Sequence, residues 1–290
     1  MSELIAFATP VFLALLLLER WAARRWPAAA GRGYERRDTW TSLSLGLANV
    51  AVSAAMKGAI VGLFYLAWRH RLFDIPNAWW AWLLLFVAED FCYYWFHRVH
   101  HEVRLFWAAH VNHHSSRHYN LSTALRQSWT TPITGPIFWA PLALLGFHPV
   151  MIVTQEAVSL IYQFWLHTEF VRRVGPLEWL FNTPSHHRVH HGRNVEYLDR
   201  NYGGILIVWD RLFGTFEPER APVDYGLTKN LDSFDPVRVG FHEWIDMARD
   251  VARARGWRDR LSHALRPPGW SPDGSSLTAR QLQARAPSHP

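Results

Sequence analysis

Cysteine is almost absent from this chain: its 290 residues include one, Cys92. A single thiol excludes a disulfide framework, a thiolate zinc site and an iron–sulfur cluster held by this chain alone. No G-x-G-x-x-G or phosphate-loop sequence occurs, so neither kind of nucleotide-binding unit is built in. The Glu-x-x-His ligand pattern of carboxylate-bridged di-iron bundles is missing as well. No secretory leader is legible at the start, because no basic region precedes the apolar run from Glu3 to Leu18 and no small-residue cleavage site is evident. Internal repeats are absent apart from two related histidine clusters.

Apolar and aromatic residues are abundant, at 49% and 15% of the chain with 17 tryptophans, and they are bunched. The first run, Glu3 to Leu18, is followed by a second from Trp40 to Trp68, broken only by Lys57. A third covers Ala78 to Phe96 with Glu89 and Asp90 inside it, and a fourth, Pro132 to Trp165, has Gly146-Phe147-His148-Pro149 as a turn near its middle. A bilayer span needs roughly 20 apolar residues. The expected fold is therefore all-α: an integral membrane helical bundle of about four transmembrane or hairpin segments. A mean hydropathy of −0.10 is low for a polytopic protein, so a large share of the chain must be aqueous or interfacial. The expected cap is a cytoplasmic set of helices carrying a histidine-rich di-metal centre.

The net charge is +6, with a pI near 9.8. Arg20, Arg24, Arg25, Arg32, Arg36 and Arg37 all follow the first run, which places that loop in the cytoplasm and the N-terminus outside. Counting spans then puts His97, at the end of the third run, on the cytoplasmic side, although Arg69-His70-Arg71 argues the other way. Arginine flanks facing anionic headgroups account for the basic balance better than nucleic-acid binding does. Trp79, Trp80 and Trp82 read as an interfacial aromatic belt.

Three histidine clusters carry the chemistry: His97-Arg98-Val99-His100-His101, His110-Val111-Asn112-His113-His114 and His186-His187-Arg188-Val189-His190-His191. Read as H-x-x-x-H, H-x-x-H-H and H-x-x-H-H, they supply eight imidazoles at helical spacing, so each cluster can aim its rings at a common point. Neutral imidazole suits iron, zinc, copper or nickel. Eight rings are too many for one ion, and two ions with four or five rings each and a vacancy account for them better. His100 lies off the face shared by His97 and His101, and His118 reads either as a donor behind the second cluster or as a packing residue. His70, His148, His242, His263 and His289 read as surface or packing residues, and Asp210-Arg211 as a structural ion pair. Asp90 is placed to orient a ligand ring, and a metal transporter or sensor is the competing class, disfavoured because the rings gather at helix ends rather than along a mid-bilayer path.

Asp90-Phe91-Cys92-Tyr93-Tyr94-Trp95-Phe96-His97-Arg98, the Trp107–Ser116 stretch and Asn182–Asn194 resemble the fatty acid hydroxylase and sterol desaturase superfamily. Within it, Tyr119–Ser128, Tyr162–Glu169 and Asn201–Phe216 are similar to its ether-lipid-cleaving branch. The resemblance covers about Trp79 to Leu227. It implies a non-haem di-iron enzyme that uses oxygen, with His97, His101, His110, His113, His114, His187, His190 and His191 as iron ligands and His186 and His167 completing about ten. It also implies a role for Glu102 as a base or cofactor contact, and Asn120 joins Glu102 and Asp90 as a candidate catalytic residue. The implied reaction is hydroxylation of a lipid C–H bond, with cleavage of alkylglycerol ethers as the nearest case and hydroxylation or desaturation of sterols, carotenoids or fatty-acyl chains as the alternative. Electrons would come from tetrahydrobiopterin in the ether-cleaving branch and from a cytochrome or ferredoxin in the others. The expected organisation is transmembrane segments over 1–78, a catalytic domain over 79–235, a C-terminal helix over 236–265 and a disordered tail over 266–290. A bacterial chain of this kind would sit in the inner membrane.

Overall fold

Why the long helices lie where they do follows from their sequence. In the computed structural model, which describes residues 2–286, the first three apolar runs form α1 (Ser2–Arg25), α2 (Arg36–Arg69) and α3 (Trp79–Glu102). The α2 helix starts where the Glu35 carboxylate accepts the Asp38 backbone N–H at 2.6 Å, the capping that a first-turn donor needs. Its 34 residues give a rod about 51 Å long at 1.5 Å per residue. Leu47, Val50 and Leu66 along it are 75%, 60% and 58% exposed, a surface too apolar for water and suited to acyl chains.

Short helices follow. They are α4 (Arg104–Trp107), α5 (Val111–His114), α6 (Thr131–Thr134), α7 (Ala140–Leu145) and α8 (Pro149–Phe164). Next come α9 (Pro184–His190), α10 (Val208–Phe213), α11 (Pro236–Arg253), α12 (Trp257–Leu265) and α13 (Ala279–Arg285). Among the described residues no strand forms, only two isolated bridges, Phe181 with Leu206 and Gly192 with Tyr225.

Among the described residues, two helices are long and apolar enough to cross a bilayer: Leu4–Arg25 and Arg36–Arg69. The α3 helix has the length, but Glu89, Asp90 and its terminal histidines lower its apolarity. The fourth run breaks into α6, α7 and α8, with the chain reversing at Gly146. That glycine has φ +125°, and a Cβ on it would lie 2.1 Å from the Phe73 carbonyl oxygen, so no other residue fits the turn. Phe64, Leu85, Phe96, Trp139, Phe147 and Ile152 pack into one buried apolar core among α2, α3, α7 and α8, directly beneath the histidines.

The C-terminal tail is folded where disorder was expected. A Thr278–Gln281 capping box starts α13, and Gln283 Nε2 donates to the Leu198 carbonyl at 2.8 Å, pinning the tail to the main body. Residues 287–290, with His289, lie outside the described residues. The single helix expected over 236–265 is two, α11 and α12, parted at Ala254–Gly256.

Candidate metal centre

Four chain segments bring rings together. The last turns of α3 present His97 and His101, one helical turn apart on the same face. His110 opens α5, which carries His113 and His114. His167 follows the end of α8, and its Nδ1 meets the Gln163 carbonyl at 3.0 Å. Pro184 starts α9, where proline's missing N–H costs nothing, and the helix then presents His187, His190 and His191 at its end.

Buried ion pairs fix these short helices, which have too few turns to stand alone. Arg126, 1% exposed, donates Nε to the Asn112 carbonyl at 2.9 Å and Nη1 to Asp38 at 3.3 Å, fastening α5 to α2. Arg188 on α9 donates to the carbonyls of Thr168, Val171 and Arg172 and forms a two-pronged pair with Glu219 at 2.9 and 2.7 Å. It thereby holds α9 against the segment that carries His167.

Nine rings fall into two sets. His97, His101, His110, His114 and His190 form one, and His113, His167, His187 and His191 the other; within each set the ring nitrogens all lie within 4.8 Å of one another. The division cuts across the clusters. Each H-x-x-H-H sends its i,i+4 pair to one set and its middle histidine to the other, so neighbours His113 and His114 part company, as do His190 and His191. The sets adjoin: the His114 and His191 rings stack with centroids 4.3 Å apart.

The chemistry of these nitrogens calls for cations. A carbonyl can only accept, so the bonds of His97 Nδ1 to the Tyr202 carbonyl (2.8 Å) and His190 Nδ1 to the Arg200 carbonyl (2.9 Å) place the proton on Nδ1. Both Nε2 atoms are then bare and face the same space. His101 Nε2 and His190 Nε2 are buried with no hydrogen-bond partner. Nε2 atoms approach one another at 3.0–3.2 Å in both sets: His97 to His110, His114 to His110, His113 to His167, His167 to His187 and His187 to His191. Adjacent nitrogens around an ion bound at about 2.1 Å are separated by about 3 Å. Burial above all, and then neighbouring rings, hold His113, His114, His187, His190 and His191 well below the usual imidazole range, and His167 falls to about 4 through burial. Rings kept neutral are rings ready to bind metal. The donors present fit two first-row transition-metal ions.

Four sequence-derived candidates sit elsewhere. His186 joins neither set; its ring packs against Phe216, and its Nδ1 lies 3.5 Å from the Thr183 hydroxyl. Asp90 orients no histidine. Its carboxylate accepts from the Ile205 and Leu206 backbone N–H groups and from Trp209 Nε1 at 2.7, 3.0 and 2.9 Å. Asn120 shapes a turn, accepting from Ser122 and donating to the Gly33 carbonyl. Glu102 pairs with Arg98 at 3.0 Å rather than reaching a ring. His100 bonds the Phe96 carbonyl and Thr134, and His118 Nδ1 lies against the Arg32 carbonyl. Asp210 does not pair with Arg211 but accepts from the Tyr202 and Gly203 backbone N–H groups at 2.7 Å each.

Two residues were missed. Tyr202 is fully buried beside His101, with its ring centroid 5.3 Å away and its hydroxyl unpartnered. Asp199 adopts φ +55° and brings a carboxylate oxygen 3.8 Å from His101 Nδ1. The only signal for either was proximity to the Asn201-Tyr202-Gly203-Gly204 stretch. A cleft of about 1430 Å³ opens onto His101, His114, His190 and His191 from the side of α11 to α13.

Residues 82–215, which hold every one of these rings, match the family model described as Fatty acid hydroxylase. Over this segment the chain is similar to the fatty acid hydroxylase family. Among its relatives, it is 43% identical over 270 residues to the alkylglycerol monooxygenase of Homo sapiens, covering 91% of this chain and 59% of that protein. It is 34% identical over 145 residues to the ornithine lipid hydroxylase OlsE of Rhizobium tropici, covering 49% and 44%. Methylsterol monooxygenase 1 of Rattus norvegicus is 25% identical over 169 residues, covering 54% and 55%. The chain thus spans less than two thirds of the length of these relatives. No solved structure matches it.

Proposed function

We propose that this chain is a membrane-bound non-haem di-iron oxygenase that hydroxylates a lipid C–H bond, with alkylglycerol ethers as substrate. The observation that carries the reading is the pair of adjoining sets, five and four buried imidazoles, seated at the head of apolar helices. Two iron ions held there supply the activation of dioxygen that an unactivated C–H bond requires. The nine converging histidines hold those ions, and His186 keeps a packing role. His97 and His190 are fixed as Nε2 donors by the Tyr202 and Arg200 carbonyls. The apolar core beneath the rings excludes water from the alkyl chain, while the cleft gives dioxygen and the reductant an aqueous approach.

The carbon attacked is the one beside the ether oxygen. Dioxygen, two electrons and two protons give a hydroxylated ether and water, and the resulting hemiacetal breaks into fatty aldehyde and glycerol. Tetrahydrobiopterin is the electron donor we assign, as the resemblance to the ether-lipid-cleaving branch implies. Glu102, next to His101 in the chain and paired with Arg98, is one acidic contact for the donor, and Asp199, which lines the cleft 3.8 Å from His101 Nδ1, is the other. Charge supports the topology: the arginine-rich turn after α1 bonds through Gly33 and Arg32 to Asn120 and His118, in the stretch that follows α5, and we place both that turn and the ring sets on the cytoplasmic side of a multi-pass membrane protein. The catalytic domain spans 79–235. The test is to supply membranes containing the iron-loaded protein with an alkylglycerol and reduced pterin. Pterin-dependent release of fatty aldehyde is expected; aldehyde absent under every donor, with sterol or acyl chains oxidised instead, assigns the alternative substrate class.

A further inference from the structure

A second cavity, of about 280 Å³, lies between the end of α1 and the start of α2, lined by Arg20, Arg24, Arg32, Arg36 and Tyr34. No carboxylate lines it. Arg20 and Arg24 stand one helical turn apart on one face of α1. Arg20, Arg24 and Arg36 make no ion pair among the described residues, and Arg32 commits one Nη2 to Asp224 at 3.1 Å. The turn joining the helices is built to close the pocket: Pro27 starts a 3-10 turn, and Gly33 has φ +60°. Three guanidinium groups without a carboxylate partner, Arg20, Arg24 and Arg36, repel one another around one cavity, and an anion among them relieves that repulsion.

Location says which anion. The pocket lies at the junction of the two helices that are long and apolar enough to cross a bilayer, where a headgroup layer would meet them. Trp21, Trp26 and Trp40 around it are 56%, 49% and 62% exposed, as tryptophans at an interface are. Guanidinium groups bind phosphate through two parallel N–H···O bonds. We propose that this pocket binds the phosphate of an anionic membrane phospholipid, one lipid per chain, independently of the metal centre.

Retention of lipid through detergent exchange of the full chain, read by native mass spectrometry, tests this. Phosphatidylglycerol is expected to stay bound at one copy while phosphatidylcholine washes away. Arg24→Gln combined with Arg36→Gln is expected to weaken that retention about thirtyfold, at the usual worth of a basic residue against an anionic surface. Arg258→Gln with Arg260→Gln on α12 should retain the lipid as wild type does, and metal content reports folding in each variant. Equal retention of the two lipids, or undiminished retention in the α1–α2 variant, overturns the proposal. So does millimolar inorganic phosphate that displaces the lipid as well as glycerol phosphate does, since it assigns the pocket to a soluble anion.

Discussion

Replacing Asp90 by asparagine separates a scaffold role from a chemical one. The carboxylate accepts three hydrogen bonds, at 2.7, 3.0 and 2.9 Å, from Ile205, Leu206 and Trp209. An amide keeps one oxygen and turns an NH2 group toward a backbone N–H, so at least one bond to an ionised acceptor is lost and one buried donor is orphaned. Each such loss costs about 1.5–3 kcal/mol. A total near 3 kcal/mol lowers the melting temperature by roughly 5–10 °C in a chain of this size. The damage should travel, because clamped Ile205 lies three residues from Tyr202, whose carbonyl fixes the His97 ring. Loosening the partner that orients a ligand weakens metal binding by about 10–100-fold. Thermal unfolding with chelator titration reads both effects, and Asp90→Asn is expected to melt early and lose metal from the five-ring set first. A variant with the parental melting temperature and full metal, yet no turnover, would refute the scaffold reasoning and give Asp90 a part in the chemistry itself.

The division of the rings predicts a pattern of metal loss. His113→Ala should empty the four-ring set and leave the other ion bound, His101→Ala should do the reverse, and the double variant should lose both; metal per chain by mass spectrometry decides, and loss of both ions from either single variant counts against two separate sets. Acid should destabilise the metal-stripped protein. Its buried rings have folded-state pKa values below those of the unfolded chain, so the unfolded chain takes up protons first and stability falls as pH drops from about 6.5 toward 4. A melting temperature that stays flat or rises between pH 7.5 and pH 5.5, read by calorimetry after chelation, contradicts this.

Spacing alone made the eight motif histidines legible, because i,i+4 rings share a helical face whatever surrounds them. Their partition was not legible. It depends on the crossing of α5 and α9, two helices of four and seven residues whose placement is set by Arg126 and Arg188 rather than by local pattern. His167 stands alone in the sequence, so only the family resemblance pointed to it. His186 falls outside both sets because it precedes its motif by one residue, which on a helix turns it about 100° away. The apolar runs located the long helices, but run length does not show which stay continuous: proline and glycine break the fourth into pieces. The tail read as disordered by composition, and one capping box with one side-chain bond to Leu198 sufficed to order it.

The Asp38–Arg126–Asn112 strut ties the long apolar α2 rod to the backbone between two imidazoles, His110 and His113, of different sets. Whatever tilts that rod tugs on both ring sets at once. Extraction from the bilayer is therefore a mechanical insult to the metal centre, and the thickness of the surrounding membrane belongs among the variables that set how firmly iron is kept.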